Sequence, residues 1–384
     1  MLKLSSGRFL GLLLTAALGL RLLGLLLIEW QPVSDAAWYH TAAMGLAEGR
    51  GYQVGGEATA AFPIGYPAWL AGWYALLGAK VGWGQFANLL LSGLIIGLTY
   101  ALGRQYGGEK TARLASLFIA FYPNYFAYTY LLLSELLFTS LLLLGLWFAR
   151  KKGNRAWLLT GLAWGLAAHV KPWLVVIPLV LVLFHRKKWP WRSLLPVYGL
   201  MALLALPWGL RNLQAFGRFV PYATNGGINL YIGNNPLATG TYHFEGPVAA
   251  RLDSSLNEAE RDQQAAGLAW QYLWEEPREA LSRLPDKLYY LFHMGNEGFY
   301  WLKMGKVNLS PGAWRAFSIL GQVGYLLWLG LVGLRMSLGI LPGFRTRWPL
   351  AREPLVMGLS MLAVYLLFFG YSRYHFPMVV LMLL

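Results

Sequence analysis

The residues best suited to chemistry in this chain are two carboxylates and several cations lying at the ends of apolar runs. Asp35 stands in "SDAAWYHTAAMGLAEGRGY" (34–52), just after the first such run, and Glu135 stands in "YLLLSELLFTSLLLLGLW" (130–147) with no other charge nearby. Lys171 lies in "AAHVKPW", Arg211 in "LPWGLRN", and Arg373 with His375 in "YSRYHFP". A carboxylate takes a proton from a hydroxyl, and converging cations hold an anion such as a lipid phosphate. Each residue also has a plainer reading. Asp35 in a first helical turn complements the helix dipole. Glu135 makes a buried hydrogen bond or ion pair, and the cations anchor helix ends at the lipid border. What favours the chemical reading is that all of them fall at one level of the expected layout.

That layout follows from composition. The chain is 57% hydrophobic and only 13% charged, outside the range of soluble domains, and its 18 Trp and 22 Tyr suit the aromatic belts at headgroup depth. The absence of cysteine excludes disulfides and thiolate metal sites. The expected fold is all-α, a polytopic transmembrane bundle of about ten spans at 9–28, 85–103, 111–122, 134–149, 157–168, 173–184, 194–210, 313–334, 354–369 and 374–384. Lys3 and Arg8 precede 9–28, a run too long for a signal peptide and without a small-residue cleavage site, so it is expected to be a retained span. Arg21 inside it is expected to snorkel or to pair with an internal acid.

The basic segments decide the topology. If "IGYPAWLAGWYALLGA" (64–79) crossed the membrane, "RQYGGEKTAR" (104–113), "RKKGNR" (150–155) and "HRKKWPWR" (185–192) would all face outward. If it lies in the outer interface or dips in and returns, all three face the cytoplasm, as the positive-inside rule prefers. On that layout the inside segments, from Lys3 to Arg352, hold seventeen basic residues against Glu109 and Glu353, so the entire net charge of +15 lies there. The charge is topological and calls for no nucleic acid, only lipid headgroups.

Three regions result: an N-terminal module 1–210 with an outer loop 29–84 of interfacial helices, an extracytoplasmic segment 211–312, and C-terminal helices 313–384. Ser34 is the expected N-cap of a short helix that Gly49 ends. Ser255 and Glu258 read as a capping box for a helix to about Trp274. Pro277 then opens a second helix lying on the membrane surface, with Leu281, Leu284, Leu288, Leu291 and Phe292 on one face and Arg278, Arg283 and Lys287 on the polar side. The Gly- and Asn-rich stretch 223–246 reads as loop. No repeat period and no phosphate-loop glycine pattern is visible.

In order along the chain, the loop-one stretch around Asp35, "AFPIGYPAWLAGWYALLG", "ANLLLSGLIIGLTYALGRQYGG", "LLLSELLFTSLLLLGLW", "LAWGLAAHVKPWLVVIPLVLVL", "PWGLRN" and "SRYHFPMVVLMLL" resemble the type C glycosyltransferases. The similarity is to the group containing protein O-mannosyltransferases and lipid A aminoarabinose transferases. It implies many spans, a donor sugar linked to a polyprenyl phosphate, and transfer on the periplasmic or exoplasmic side of a membrane, in bacteria the inner membrane. Asp35 matches the loop-one acid of these enzymes. Two departures stand out: Asp35 is flanked by Ser34 and Ala36, where some relatives have a second acid, and Phe62 precedes Pro63, where relatives often have His or Lys.

Such a donor already carries its leaving group, so one base and a few cations suffice. Asp35 is the expected base. Lys171, Arg211, Arg373 and His375 are the expected phosphate ligands, and Glu135 orients one of them or the acceptor. A single displacement opposite the leaving group inverts the anomeric centre, by analogy with inverting glycosidases. Tyr39, His40, Tyr52, Tyr66, Asn234 and Asn235 are expected to line the sugar or acceptor pocket, with interfacial aromatic and turn residue as the plainer alternatives. The acceptor hydroxyl belongs to a glycan, lipid or protein. A divalent metal remains an option without assigned ligands, since His40 and His169 lack any HExxH-like spacing. The rival reading is a transporter or flippase of lipid-linked sugars, whose signature is pseudo-repeats with broken helices and charges at mid-membrane. A noncatalytic scaffold that binds lipid-linked sugars shares every binding feature. Single cysteines test the layout: one at Tyr52 is expected to label from outside and one at Lys151 only after the membrane is opened, and the reverse pattern contradicts it.

Overall fold

A computed structural model describes residues 4–151, 153–340 and 352–384. Lys3, Lys152, Arg345 and Arg347, which the inside count includes, lie outside the described residues. In hydrocarbon every backbone polar group must be paired within its own segment, so the apolar runs become helices. In chain order these are α1 (Ser6–Leu27), α2 (Asp35–Ala47), α3 (Gly65–Leu77), α4 (Val81–Phe121), α5 (Pro123–Tyr128), α6 (Glu135–Ala149), α7 (Asn154–Ala168), α8 (Ile177–Phe184) and α9 (Leu194–Phe216). They continue with α10 (Gly226–Gly233), α11 (Glu258–Glu275), α12 (Pro277–Ser282), α13 (Leu284–Phe292), α14 (Glu297–Met304), α15 (Pro311–Ile340), α16 (Arg352–Leu367) and α17 (Phe376–Leu383). One two-stranded antiparallel ribbon, β1 (Gln53–Val54) and β2 (Glu57–Ala58), turns at Gly55 and Gly56, both at positive φ, and is the exception to an all-α description.

Among the described residues, four helices are long and apolar enough to cross a membrane: Ser6–Leu27, Val81–Phe121, Trp191–Phe216 and Pro311–Ser337. Within α4 the chain doubles back at Gly108 (φ 76°, ψ −170°), so that Gly103 packs against Ala112 and the expected cytoplasmic loop is a tight turn. The other apolar helices are short. α6 and α7 have 15 residues each. At 1.5 Å per residue they rise only about 22 Å against a hydrocarbon core of ~30 Å. A helix of that length starting at one border stops roughly 8 Å short of the other.

The basic loops gather at one end of the bundle. Arg150, after α6, reaches Gln105 at 2.9 Å and the buried Glu353 at 3.3 Å, while Lys188, after α8, meets Glu353 at 3.3 Å. At the opposite end α3 packs against the start of α4, with the Tyr66 hydroxyl donating to Asn88 Oδ1 at 3.3 Å. The Gly65 N–H donates to His169 O at 2.8 Å, and Gly84, just past the other end of α3, packs on Leu70 and Leu132.

Several extracytoplasmic expectations are corrected. The capping box of α11 is Asn257 with Glu260, not Ser255 with Glu258, because Ser255 donates its N–H and hydroxyl to Asp253 Oδ1. The helix expected from Pro277 breaks into α12 and α13 beside Pro285, whose ring and missing N–H oppose a continuous helix. Lys287 is not on a solvated face: it is 1% exposed. The supposed loop 223–246 contains α10, which packs on α11 so closely that a Cβ at Gly227 would lie 1.9 Å from Asp262 O. Arg21 neither snorkels nor meets an acid. Buried, it donates to Ala120 O at 2.8 Å, Ala17 O at 3.1 Å and Thr129 Oγ1 at 3.3 Å.

Gly108→Ala is expected to cost about 1–3 kcal/mol, since that backbone region is essentially open only to glycine. Gly97→Ala, a helical site with nothing within 4 Å, serves as the control and leaves the melting temperature unchanged or slightly raised. Thermal unfolding in detergent compares the two, and equal effects contradict the assignment of Gly108 as an obligatory turn.

Candidate active site

Four of the six residues expected to do the main chemistry meet at the end of the bundle opposite the basic loops. Arg373 Nη2 lies 2.5 Å from Asp35 Oδ2, and its Nε lies 3.6 Å from Glu135 Oε1. Lys171 Nζ donates to the same Glu135 oxygen at 3.2 Å. The result is an alternating chain, Asp35–Arg373–Glu135–Lys171, drawn from four distant parts of the sequence and neutral in sum.

Local structure explains how each is presented. Asp35 opens α2, and Ser34 precedes it as expected, but the Ser34 hydroxyl caps nothing. Ser34 instead takes φ 52°, ψ −131°, a region that costs a non-glycine residue about 1–3 kcal/mol. Gly49, at φ 75°, follows the end of that helix as expected. Glu135 opens α6, where the helix N-terminus compensates a carboxylate only 2% exposed. Pro172 forces Lys171 out of helical conformation at the end of α7, and Arg373 sits in a 3-10 turn, Ser372–His375, between α16 and α17. Burial works against the Arg373 charge, and Asp35 and Glu135 more than restore it, so the guanidinium is held well above its ordinary pKa. Burial pulls Lys171 below its ordinary value, with Glu135 opposing that shift.

The cluster is not fully satisfied. Arg373 Nε and Glu135 Oε2 are buried without a hydrogen-bond partner. Buried polar groups in folded proteins are nearly always paired, so two such atoms on adjacent charged side chains mark a place built to bond something else. Beside them Trp30, Val33, Asp35, Leu133, Trp301 and Arg373 surround a cavity of about 10 Å³, the room of one water. A larger groove of about 680 Å³, lined by apolar side chains such as Leu114, Phe118, Leu320 and Leu327, holds none of the four charges.

The remaining expected residues divide. Tyr39 lies one turn after Asp35 on α2, buried against Phe62 and Tyr66. Burial raises its pKa and Asp35 adds to the shift. Tyr52 and Tyr66 spend their hydroxyls inside the protein, on Phe62 O at 2.9 Å and Asn88 Oδ1 at 3.3 Å. His40 pairs with the Tyr74 hydroxyl at 2.8 Å. Arg211 does not join the other cations: it donates to Tyr52 O at 2.7 Å and Thr59 O at 2.8 Å, pinning the outer loop. His375 is 1% exposed, with Nδ1 donating to Leu291 O at 2.9 Å and its ring stacked on Tyr325 and Trp328, so it is packed away from the charged row. Asn234 is no pocket residue either. Its amide donates to Leu230 O and Leu367 O, and its Oδ1 accepts from Lys287 Nζ at 3.0 Å. Asn235 donates to Tyr231 O and accepts from Leu237 N, the pattern of a turn.

Residues that sequence reasoning missed are Trp30 and Trp301, which wall the cavity, and Glu297 with Ser372 beside Arg373. Among the described residues no group of three His, Cys, Asp or Glu is placed to hold a metal ion. The two acids of the site, Asp35 and Glu135, already share the Arg373 guanidinium.

Lys287 gives a pH signature. Burial lowers its pKa from 10.5 to about 8. Between those values the unfolded chain binds a proton that the folded chain has released, so stability rises with pH from about 8 toward 10. Thermal unfolding across that range is expected to show the rise in the wild type and its loss in Lys287→Met, and an identical slope in both contradicts the assignment.

Against this geometry the likenesses to known proteins can be placed. Residues 63–209 match the family model described as dolichyl-phosphate-mannose-protein mannosyltransferase, a stretch that includes Glu135 and Lys171 but neither Asp35 nor Arg373. No curated protein sequence matches the chain. The crystal structure of ArnT from Cupriavidus metallidurans bound to undecaprenyl phosphate aligns with a TM-score of 0.51 at 14% identity, covering 99% of this chain and 77% of that one. The apo structure of the same protein aligns at 0.49 and 16%, covering 98% and 77%. The chain is thus an integral membrane protein with the type C glycosyltransferase fold, carrying over 63–209 the sequence pattern of the dolichyl-phosphate-mannose-protein mannosyltransferase family.

Proposed function

We propose that this protein is an inverting glycosyltransferase that moves a sugar from a polyprenyl-phosphate donor to an acceptor hydroxyl. The observation that carries this reading is the alternating chain Asp35–Arg373–Glu135–Lys171 with two of its polar atoms unspent. The family pattern over 63–209 supports the donor class, and ArnT is a protein of the same fold bound to undecaprenyl phosphate.

In the proposed step the acceptor oxygen attacks the anomeric carbon while its proton passes to Asp35. The bond from that carbon to the phosphate oxygen breaks, and its electron pair leaves with polyprenyl phosphate. The two halves are coupled through Arg373. As Asp35 becomes neutral it loses its hold on the guanidinium, whose charge is then free for the phosphate just as negative charge builds there. Lys171 supplies the second cation, and Glu135 keeps the two cations apart.

The site is built at the ends of α6 and α7 opposite the basic loops, which suits a donor whose phosphate rests at headgroup depth. The acceptor, a glycan, lipid or protein hydroxyl, approaches from the periplasmic or exoplasmic side of a bacterial inner membrane.

Purified protein, a labelled polyprenyl-phosphate sugar and membrane extract test the reading through release of polyprenyl phosphate. The wild type is expected to release it, and Asp35→Asn is expected to lose roughly a hundredfold or more of turnover while still retaining the donor. Normal turnover by Asp35→Asn contradicts the assignment of the base. A wild type that moves intact donor across vesicles without cleaving it favours the transporter reading.

A further inference from the structure

Behind Arg373 lies a carboxylate that the proposed step does not use. Glu297 opens α14, is 2% exposed, and has no Lys, Arg or His within 4 Å among the described residues. An unpaired buried carboxylate is expensive, and it is kept only where its acceptors are needed. Both Glu297 oxygens are in use. Oε2 accepts the hydroxyl of Ser372, the residue directly before Arg373, and Oε1 accepts the Trp301 indole N–H at 2.9 Å. Trp301 O in turn accepts the Trp30 indole N–H at 3.1 Å. Trp30, Trp301, Asp35 and Arg373 line the same small cavity. Neighbouring contacts fix α14 itself, with Gly298 N donating to Asn124 Oδ1 at 2.8 Å. Glu297 therefore stands where the backbone of Arg373 and the aromatic wall facing Asp35 are joined.

We propose that Glu297 is a positioning residue of this site, holding Arg373 through Ser372 and the cavity wall through Trp301. The assignment rests on the transferase reading above only in naming the anion that Arg373 meets. Its physical content is that Arg373 changes partner during the step, from Asp35 to phosphate, and needs an anchor that does not change. A glutamine replaces it only in part: its one oxygen can accept from the Trp301 indole, but Ser372 then meets an NH2 group and loses its hydrogen bond to a charged acceptor.

The test uses binding of undecaprenyl phosphate to the detergent-purified full chain, alongside thermal unfolding. Glu297→Gln is expected to weaken binding about tenfold, the scale of one lost hydrogen bond to a charged group, with little change in melting temperature. Ser372→Ala is expected to weaken it less, and the double variant no more than Glu297→Gln alone, since both act through one contact. Wild-type affinity in Glu297→Gln, or losses that multiply in the double variant, overturns the proposal. If Glu297→Gln does not fold, Ser372→Ala decides, and unaltered affinity there also overturns it. A wild type that binds undecaprenyl phosphate yet releases none from sugar-loaded donors sinks the transferase reading, while the binding comparison still judges Glu297. A wild type that does not bind it overturns both.

Discussion

The contact between Arg373 and Asp35 is the interaction on which the rest of this molecule depends. A guanidinium and a carboxylate taken out of water lose several kcal/mol of hydration each, and only close pairing with further hydrogen-bond partners offsets the loss. Here the pair spans nearly the whole sequence, from the start of α2 to the turn before α17. The chain must therefore close upon itself before the charges can be buried. Glu135 and Lys171 extend the pair into an alternating row, so that no charge lies beside a like one without an opposite charge between them. On the proposed reading, proton transfer to Asp35 lowers the negative charge in this row and leaves Arg373 free to hold the phosphate more tightly.

Short helices give this row its depth. α6 and α7, at 15 residues each, are shorter than a ~30 Å hydrocarbon core requires, and the turns that carry Lys171 and Arg373 meet Glu135 at the start of α6. Irregular backbone at membrane depth is tolerated only when buried in protein or lining a cavity. Here the largely buried stretch from Tyr122 to Ser134 is packed inside protein, and Leu133 from it lines the small cavity. The outer pieces are joined above it by Glu258, which accepts from Thr59 Oγ1 and Ala60 N at 2.7 Å each, and by Arg211 on the neighbouring carbonyls.

How much of this was legible in the sequence follows from the kind of signal each residue gives. Charge asymmetry between loops is summed over many residues, so it placed three basic segments together and kept α3 from crossing; the structure brings them together through Arg150, Lys188 and Glu353. An acid inside an apolar run is costly wherever it goes, which is why Glu135 could be singled out, while Asp35 is marked by its place just after the first run and by the family resemblance. What could not be read is which polar groups are claimed by backbone far away. Arg211 is held by carbonyls more than 150 residues distant, His375 by Leu291, and Asn234 by Leu367 and Lys287. Glu297 looks in sequence like any acid at a helix start, and only its burial separates it from Glu258 or Glu279. The displaced capping box at Asn257 has the same origin on a smaller scale, since Asp253 captures Ser255 first.

The central claim is that the charge on Asp35 governs where Arg373 points. The most direct measurement is the affinity of undecaprenyl phosphate for the protein with Asp35 replaced by asparagine, compared with the wild type at the same pH and ionic strength. Removing the carboxylate charge releases the guanidinium toward the phosphate, so the account predicts binding several-fold tighter, a gain that vanishes when Arg373 is also replaced by methionine. Unchanged or weaker binding in the single variant contradicts it.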